Sequence, residues 1–128
     1  MSLRSPLRRV LGTGSAKQGV HHWWVQRLTS VALVPLTVWF VVSLLALPSL
    51  DHATVAGWER QGSTSLLLIL LVLVGTWHSQ LGVRVVVEDY VPSPAARTVT
   101  LTLIAFAHAL LAAAGILAVL KVALGSAP

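Results

Sequence analysis

One histidine stands inside a long apolar stretch of this sequence, where a buried polar side chain is costly and is therefore a candidate for function. His78 lies within residues 65–87, which contain a single charged side chain, Arg84. Gly75 precedes it by three residues and Gly82 follows it by four, so on a helix all three share one face. This spacing has two interpretations. The glycines leave room for a broad, flat ligand against the backbone, or they let a second helix approach so closely that His78 hydrogen-bonds across the pair.

A second histidine, His108, lies eleven residues after Arg97 in the last apolar stretch, at a depth similar to that of His78. Its neighbours Ala105, Ala109 and Ala112 are also small. Two histidines at one height could form a bis-imidazole haem site within the chain. The interpretation that the residues favour is a histidine that packs or hydrogen-bonds between helices.

The second apolar stretch ends on the acidic pair Glu88 and Asp89, followed by Tyr90. A tyrosine at this point places a phenol hydroxyl at the membrane–water interface, where amphipathic rings commonly lie. The hydroxyl could donate a hydrogen bond to a quinone carbonyl, with Asp89 orienting it or helping to deliver a proton. From these residues alone, an interfacial anchor tyrosine after a solvated acidic pair is the preferred interpretation.

Basic side chains precede the first apolar stretch. His21, His22 and Arg27 could bind acidic groups at the membrane surface, such as haem propionates or lipid phosphates, and arginine suits bidentate binding of a carboxylate. The alternative is that they only set the orientation of the chain. For Arg84, which can extend its side chain to the interface, that alternative is preferred.

Three apolar spans must position these residues. They cover about 28–47, 65–87 and 98–120, and each is long enough to cross a hydrocarbon core of ~30 Å as a helix. Pro92 and Pro94 break the chain between the second and third spans. We therefore predict an all-α integral membrane protein of three transmembrane helices.

Composition supports a membrane protein and excludes several other functions. Of the 128 residues, 55% are hydrophobic and 10% are charged, against about 25% charged in an average soluble domain. The net charge of +5 sits beside the apolar spans, as topology signals do, and we set nucleic acid aside as a partner. The sequence has no cysteine, which excludes thiol catalysis, and no phosphate-binding glycine loop or HExxH motif. A proton pump would need acidic residues deep in a span, and none of the three spans contains one.

Positive charge predicts the orientation of the chain, because lysine and arginine stay on the cytoplasmic side. Most of these residues fall before the first span or beside the second loop, whereas Arg60 and Lys121 fall on the other side. The N-terminus and the 88–97 loop are then cytoplasmic. We divide the chain into a basic N-terminal arm (1–27), a three-helix membrane anchor (28–120) and a C-terminal tail (121–128).

The residues that end the second span carry a family resemblance. From His78 to Tyr90 the sequence reads HSQLGVRVVVEDY, with a glycine four residues after the histidine and Asp-Tyr at the end of the span. This pattern resembles the hydrophobic membrane-anchor subunits of succinate dehydrogenase (respiratory complex II). A second match is Gly19-Val20-His21, with Arg27 six residues beyond the histidine.

The resemblance implies roles for particular residues. His78 would be one axial ligand of haem b, and so a ligand of the haem iron, with the other ligand from the partner anchor subunit. Tyr90 would contact ubiquinone, with Asp89 beside it in the quinone site. Arg27 and His21 would lie near the haem propionates or the quinone pocket. His108 and Arg84 match no family role.

The resemblance also implies an assembly. The chain would be a non-catalytic subunit that packs with a partner anchor subunit (the cytochrome b subunit) into a helical bundle. An iron–sulfur subunit and a flavoprotein would complete the complex, within the lipid of a bacterial inner membrane. The complex would pass electrons from succinate to quinone in the tricarboxylic acid cycle and the aerobic respiratory chain. A trimer of heterotetramers is expected by family analogy.

Three alternatives remain at this point. The same architecture serves anchors of the fumarate reductase type. A small three-helix channel or transporter subunit would need a continuous polar stripe along a span, which the sequence does not show. A self-contained cytochrome would use both His78 and His108.

Overall fold

A computed structural model describes residues 16–125, with side chains from residue 20 onward. This range consists of four helices: α1 (Ala16–Leu45), α2 (His52–Glu59), α3 (Gly62–Tyr90) and α4 (Pro94–Leu124). Three segments are long and apolar enough to cross a membrane, namely Val20–Leu45, Gly62–Tyr90 and Pro94–Leu124. The prediction of an all-α protein with three membrane-spanning helices is confirmed.

The first helix begins well before the predicted span. Residues 16–27, which we assigned to the N-terminal arm, are helical and continuous with the rest of α1. α1 also ends at Leu45, two residues before the predicted end at 47. Residues 1–15 of the arm and residues 126–128 of the tail lie outside the described residues. The division of the chain into arm, anchor and tail stays a prediction.

The break between α3 and α4 falls where the prolines predict it. Ser93 caps α4, its side chain accepting a hydrogen bond from the amide of Ala96, and Pro94 takes the first helical position, where its missing N–H costs nothing. Arg97 then reaches back across the turn and donates to the carbonyl of Val91 from both Nε (3.1 Å) and Nη2 (3.0 Å). This clamp fixes the end of α3 against the start of α4.

The short helix α2 was not predicted. Asp51 caps it by accepting a hydrogen bond from the amide of Thr54 at 3.0 Å, and hydrogen bonds from Ser49 and Thr54 hold the pKa of the Asp51 carboxyl well below its usual range. Trp58 at its far end stacks on Trp39 of α1, with 6.0 Å between ring centroids. An N-capping aspartate shortly after Pro48 was the signal that could have revealed this helix.

The long helices form a row with α3 in the middle. α3 packs against α1 on one side and α4 on the other, and within residues 16–125 α1 and α4 make no contact with each other. Both broad faces of the row are therefore open. Among the described apolar residues only Ala56, Val87 and Val119 are buried, whereas side chains such as Val31 (70%) and Leu110 (72%) are largely exposed. In water this apolar surface would be unfavourable, whereas in a membrane it can lie against lipid.

The closest approach of α3 and α4 depends on a glycine. A Cβ atom built on Gly115 of α4 would lie 2.8 Å from Cγ1 of Val72 on α3, which is closer than such contacts allow. A Cβ on Gly57 of α2 would meet nothing within 4 Å. Gly115 therefore provides a test site for the contact, and Gly57 provides the control.

We predict that Gly115→Ala destabilises the α3–α4 pair. Overpacking costs about 1–3 kcal/mol, and the better helix propensity of alanine offsets about 1 kcal/mol of this. The thermal unfolding midpoint of the purified membrane complex should fall. Gly57→Ala should leave it unchanged or raise it, and Val72→Ala should restore it in the Gly115→Ala background. A midpoint unaffected by Gly115→Ala would contradict the close contact.

Candidate functional site

His78 lies between α3 and α1, and both of its ring nitrogens contact α1. Nδ1 is 2.9 Å from Oγ1 of Thr29, and Nε2 is 3.3 Å from Nε2 of Gln26. The histidine is half-buried, whereas Thr29 is 6% exposed. The site therefore lies at the contact between the antiparallel helices α1 and α3. We call this contact, formed by His78, Thr29 and Gln26, the seam.

These contacts fit one tautomer of the ring. With its nitrogen facing the ring, the Gln26 amide donates to Nε2 of His78, and the ring proton then lies on Nδ1. Nδ1–H donates to the Thr29 hydroxyl, which in turn donates to the carbonyl of Val25 (2.9 Å) or Gln26 (3.0 Å). In this arrangement the lone pair of the ring lies on Nε2, the atom through which such a histidine can bind a metal.

Both glycines beside His78 lie against α1. A Cβ on Gly75 would lie 3.9 Å from the side chain of Leu33, and one on Gly82 would lie 3.8 Å from the side chain of Gln26. α1 therefore covers the glycine face, because small residues permit close helix approach. Of the two interpretations of the glycine spacing, the structure shows the histidine hydrogen-bonded across a helix pair.

Two polar atoms near this seam are buried without a hydrogen-bond partner: Nε2 of His22 and Oε1 of Gln26. His22, Gln26 and Thr29 are spaced by four and three residues, so they form one polar face of α1 directed at α3. Sequence reasoning missed Gln26 and Thr29, although this helical spacing of polar residues entering an apolar span was the signal. Buried polar groups are rarely left unpaired, so these atoms indicate that another polar group completes the site.

The residues fit an axial ligand to haem better than a site for a free metal ion. Within the described range no three histidine or acidic side chains gather as metal ligands, so His78 could give one bond to iron that a porphyrin already holds. The group on its Nε2 is the Gln26 amide, a flexible side chain whose oxygen lacks a partner. Displacing this amide would free the lone pair without breaking the bond between Nδ1 and Thr29.

His108 lies on the other side of α3. Its Nδ1 donates to the carbonyl of Ile104 at 2.9 Å, and its Nε2 accepts from the hydroxyl of Ser79 at 3.2 Å. The two histidines therefore serve different helix pairs, with His78 joining α3 to α1 and His108 joining α4 to α3. This geometry matches the interpretation of His108 as a hydrogen-bonding histidine and argues against a haem held by both residues.

The pairing of α1 with α3 moves Arg27 deeper than the sequence suggested. Leu33 of α1 lies against Gly75 and Thr29 lies against His78, so residue 32 of α1 is level with residue 76, the midpoint of α3. Arg27 then lies about five residues, or ~8 Å, from the middle of this spanning helix, and His78 only ~3 Å. A guanidinium so far inside a hydrocarbon core must extend to the interface or bind an anion.

The surroundings of Arg27 are aromatic. Its guanidinium lies 5.3 Å from the ring centroid of Trp23, a cation–π contact, and both side chains are exposed on the outer surface of α1. His21 is also exposed, so it is His22 that faces the His78 seam. In this chain, Arg27 and His21 are therefore on a surface open to a partner and not in the seam.

The acidic pair and Tyr90 lie at the end of α3. Tyr90 is the last helical residue and is 81% exposed, and Asp89 is exposed beside it. Neither side chain makes a hydrogen bond within the described part of the chain. Glu88 instead pairs with Arg84 at 2.7 Å, one helical turn away, an i,i+4 pairing that the sequence contained and that we did not use. Tyr90 is ~18 Å along the helix from His78.

Comparisons with known proteins agree with this architecture. The profile of the succinate dehydrogenase/fumarate reductase transmembrane subunits matches residues 1–118. The chain belongs to this family. The hydrophobic membrane anchor subunit of succinate dehydrogenase from Rickettsia bellii is 36% identical over 89 residues, which cover 69% of this chain and 70% of the relative. That from Paracoccus denitrificans is 27% identical over 122 residues, covering 95% and 94%.

A third relative, the succinate dehydrogenase membrane anchor subunit of Reclinomonas americana, is 29% identical over 91 residues, covering 69% of this chain and 76% of its own. The resemblance to the hydrophobic membrane-anchor subunits is thereby confirmed. Membership of this family favours the anchor role over a channel or transporter subunit. The chain is a multi-pass membrane protein of the succinate dehydrogenase/fumarate reductase transmembrane subunit family.

The bond between Ser79 and His108 provides a test of the α3–α4 side of the anchor. Interhelical hydrogen bonds in membrane proteins contribute about 0.6 kcal/mol on average. We predict a coupling energy of this order in a double-mutant cycle of Ser79→Ala and His108→Leu, measured by unfolding of the purified complex. Ser63→Ala, at the exposed start of α3, is the control and should show no coupling to His108→Leu. A coupling energy of zero between Ser79 and His108 would contradict the contact.

Proposed function

We propose that this chain is the anchor subunit of a succinate:quinone oxidoreductase that supplies His78 as one axial ligand of haem b and Tyr90 to the ubiquinone site. The observation that carries the proposal is the position of His78: an imidazole near the middle of its spanning helix, with Nδ1 2.9 Å from the Thr29 hydroxyl and Nε2 facing only the Gln26 amide. Its place in the HSQLGVRVVVEDY motif of a family member supports the same assignment.

The second axial ligand would come from the partner anchor subunit. His108 is engaged with Ser79 on the far side of α3, so it does not share a helix contact with His78 from which both could hold one haem. The open faces of the helix row provide the surface on which a second anchor would complete a bundle. The iron–sulfur and flavoprotein subunits would bind at the cytoplasmic end, in a bacterial inner membrane. Assembly into a trimer of such heterotetramers stays a prediction.

When bound, a haem with two axial imidazoles carries one electron and has no open position for oxygen. This chain's residues would hold and shield it. Thr29 keeps the proton on Nδ1, and Gln26 gives up its contact with Nε2. Arg27 carries a charge ~8 Å from the middle of the membrane, and a haem propionate or a group of the quinone pocket would neutralise it, with the exposed His21 one to two turns nearer the interface.

The quinone site would use the end of α3. A quinone is an apolar ring with a polar carbonyl at each end, so a site at the interface can bury the ring while the phenol of Tyr90 donates to one oxygen. The Tyr90 hydroxyl is exposed, and Asp89 is positioned beside it to pass a proton from the cytoplasm. The family includes fumarate reductases, but the relatives described above are named succinate dehydrogenase subunits, which favours the succinate-oxidising direction.

Replacing each histidine in the intact complex tests the haem assignment. We predict that His78→Ala removes the low-spin haem b signal, because the iron loses an axial ligand, whereas His108→Ala keeps it. Reduced-minus-oxidised spectra of the purified complex give the measurement, and co-purification of the other subunits shows that each variant assembles. Loss of haem in both variants would support the self-contained cytochrome, and a wild-type complex without haem would exclude both models.

The quinone role is tested with Tyr90→Phe, which keeps the ring and removes the hydroxyl. A neutral hydrogen bond contributes about 0.5–1.5 kcal/mol, so we expect kcat/KM for quinone to fall about 2- to 10-fold. Succinate oxidation with an artificial dye, which takes electrons before the membrane, should be unchanged. Unaltered quinone reduction in Tyr90→Phe would remove this residue from the site.

A further inference from the structure

We propose that Thr29 is the positioning residue of His78: its hydroxyl accepts the Nδ1–H of the imidazole, fixes the ring orientation and tautomer, and so presents the Nε2 lone pair to haem iron. This inference rests on the proposed function of His78 as an axial ligand. It assigns a role to a residue of the first helix for which neither motif of the sequence gave a signal.

The contact that carries the inference is short and buried. Oγ1 of Thr29 is 2.9 Å from Nδ1 of His78, and Thr29 is 6% exposed, less than the histidine that it contacts. Water is therefore excluded as the usual competitor for this hydrogen bond. Thr29 is also β-branched, so its hydroxyl has few rotamers within a helix and stays directed at the ring.

The Thr29 hydroxyl accepts a hydrogen bond from the ring because its own proton is donated to a backbone carbonyl. The carbonyls of Val25 and Gln26, at 2.9 and 3.0 Å, can only accept. The hydroxyl that donates to either one presents a lone pair to Nδ1–H. Of the groups around the ring, only Thr29 and Gln26 are within hydrogen-bond distance in the described chain, and displacement of Gln26 from Nε2 leaves Thr29 to hold the ring.

Such an outer-sphere bond affects the metal as well as the geometry. Accepting a hydrogen bond from the second ring nitrogen makes the imidazole a stronger base toward the metal, and loss of comparable partners typically weakens metal binding by 10- to 100-fold. A stronger donor stabilises ferric more than ferrous iron. Thr29 would therefore lower the midpoint potential of the haem.

A matched control exists on the neighbouring helix. Thr76, two residues before His78, directs its hydroxyl to its own backbone, at 2.7 Å from the carbonyl of Val72 and 3.1 Å from that of Leu73. Thr76→Val therefore makes the same chemical change as Thr29→Val near the same histidine without removing a partner of the ring. Thr29→Ser keeps the hydroxyl and serves as the rescue variant.

The experiment compares these three variants in the complete complex. Haem content per assembled complex, the electron paramagnetic resonance g-values of ferric haem and the midpoint potential are measured. We expect Thr29→Val to raise the potential and shift the g-values; a tenfold change in the ferric-to-ferrous binding ratio corresponds to about 59 mV for one electron. Thr29→Ser and Thr76→Val should stay close to the wild type. Loss of haem from an assembled Thr29→Val complex, with haem kept in Thr29→Ser, supports the same role.

Other outcomes would overturn the inference and separate it from the proposed function. A Thr29→Val complex with wild-type potential and g-values removes the role of Thr29 while leaving His78 as the ligand. An equal shift in Thr76→Val shows that the effect is unspecific. If wild-type complex contains no haem, or if His78→Ala keeps it, the proposed function itself fails. Thr29→Ala, which introduces no new atoms, replaces Thr29→Val if the latter does not assemble, with the same expected shift.

Discussion

The contact between Thr29 and His78 is the interaction on which the site depends. Only α1 and α3 meet there, so the state of the imidazole is decided by helix packing and not by the sequence around the histidine. The same contact sets the register of the two helices, with Gly75 and Gly82 allowing the approach above and below it. Any change that slides α1 along α3 would alter at once the tautomer of His78, the depth of Arg27 and the surroundings of His22.

The arrangement of the long helices in a row leaves apolar faces that the described chain does not cover itself. A bundle that closed on itself would bury its apolar side chains, but here α3 separates α1 from α4 and the faces stay open. The hydrophobic effect does not drive helices together inside a bilayer, so close packing at glycine and hydrogen bonds between helices must hold the row. The polar atoms of His22 and Gln26 that lack partners are consistent with a structure that other molecules complete.

The sequence predicted what depends on local pattern. Apolar length gave three spanning helices, the prolines gave the break before α4, and the HSQLGVRVVVEDY motif gave the family. Sequence reasoning failed where the surroundings of a residue depend on the position of a second helix. The glycine face could not be assigned to α1 or to a ligand, and the depth of Arg27 could not be known before the pairing with α3. Lysine and arginine placed the start of the first span at residue 28 and its centre near residue 37, whereas the contacts with α3 set residue 32 level with the middle of α3. The roles of His78 and Tyr90 stay predictions.

The clamp of Arg97 on the Val91 carbonyl bears directly on Tyr90. The guanidinium binds the carbonyl of Val91, the residue after the tyrosine, and the backbone N–H of Val91 donates to Val87, so the main chain on the C-terminal side of Tyr90 is held from both helices. The phenol itself is exposed and makes no hydrogen bond within the described chain. Tyr90 thus joins an unpaired side chain to an anchored backbone, and the rigid helix α3 sets the spacing between its Cα and that of His78.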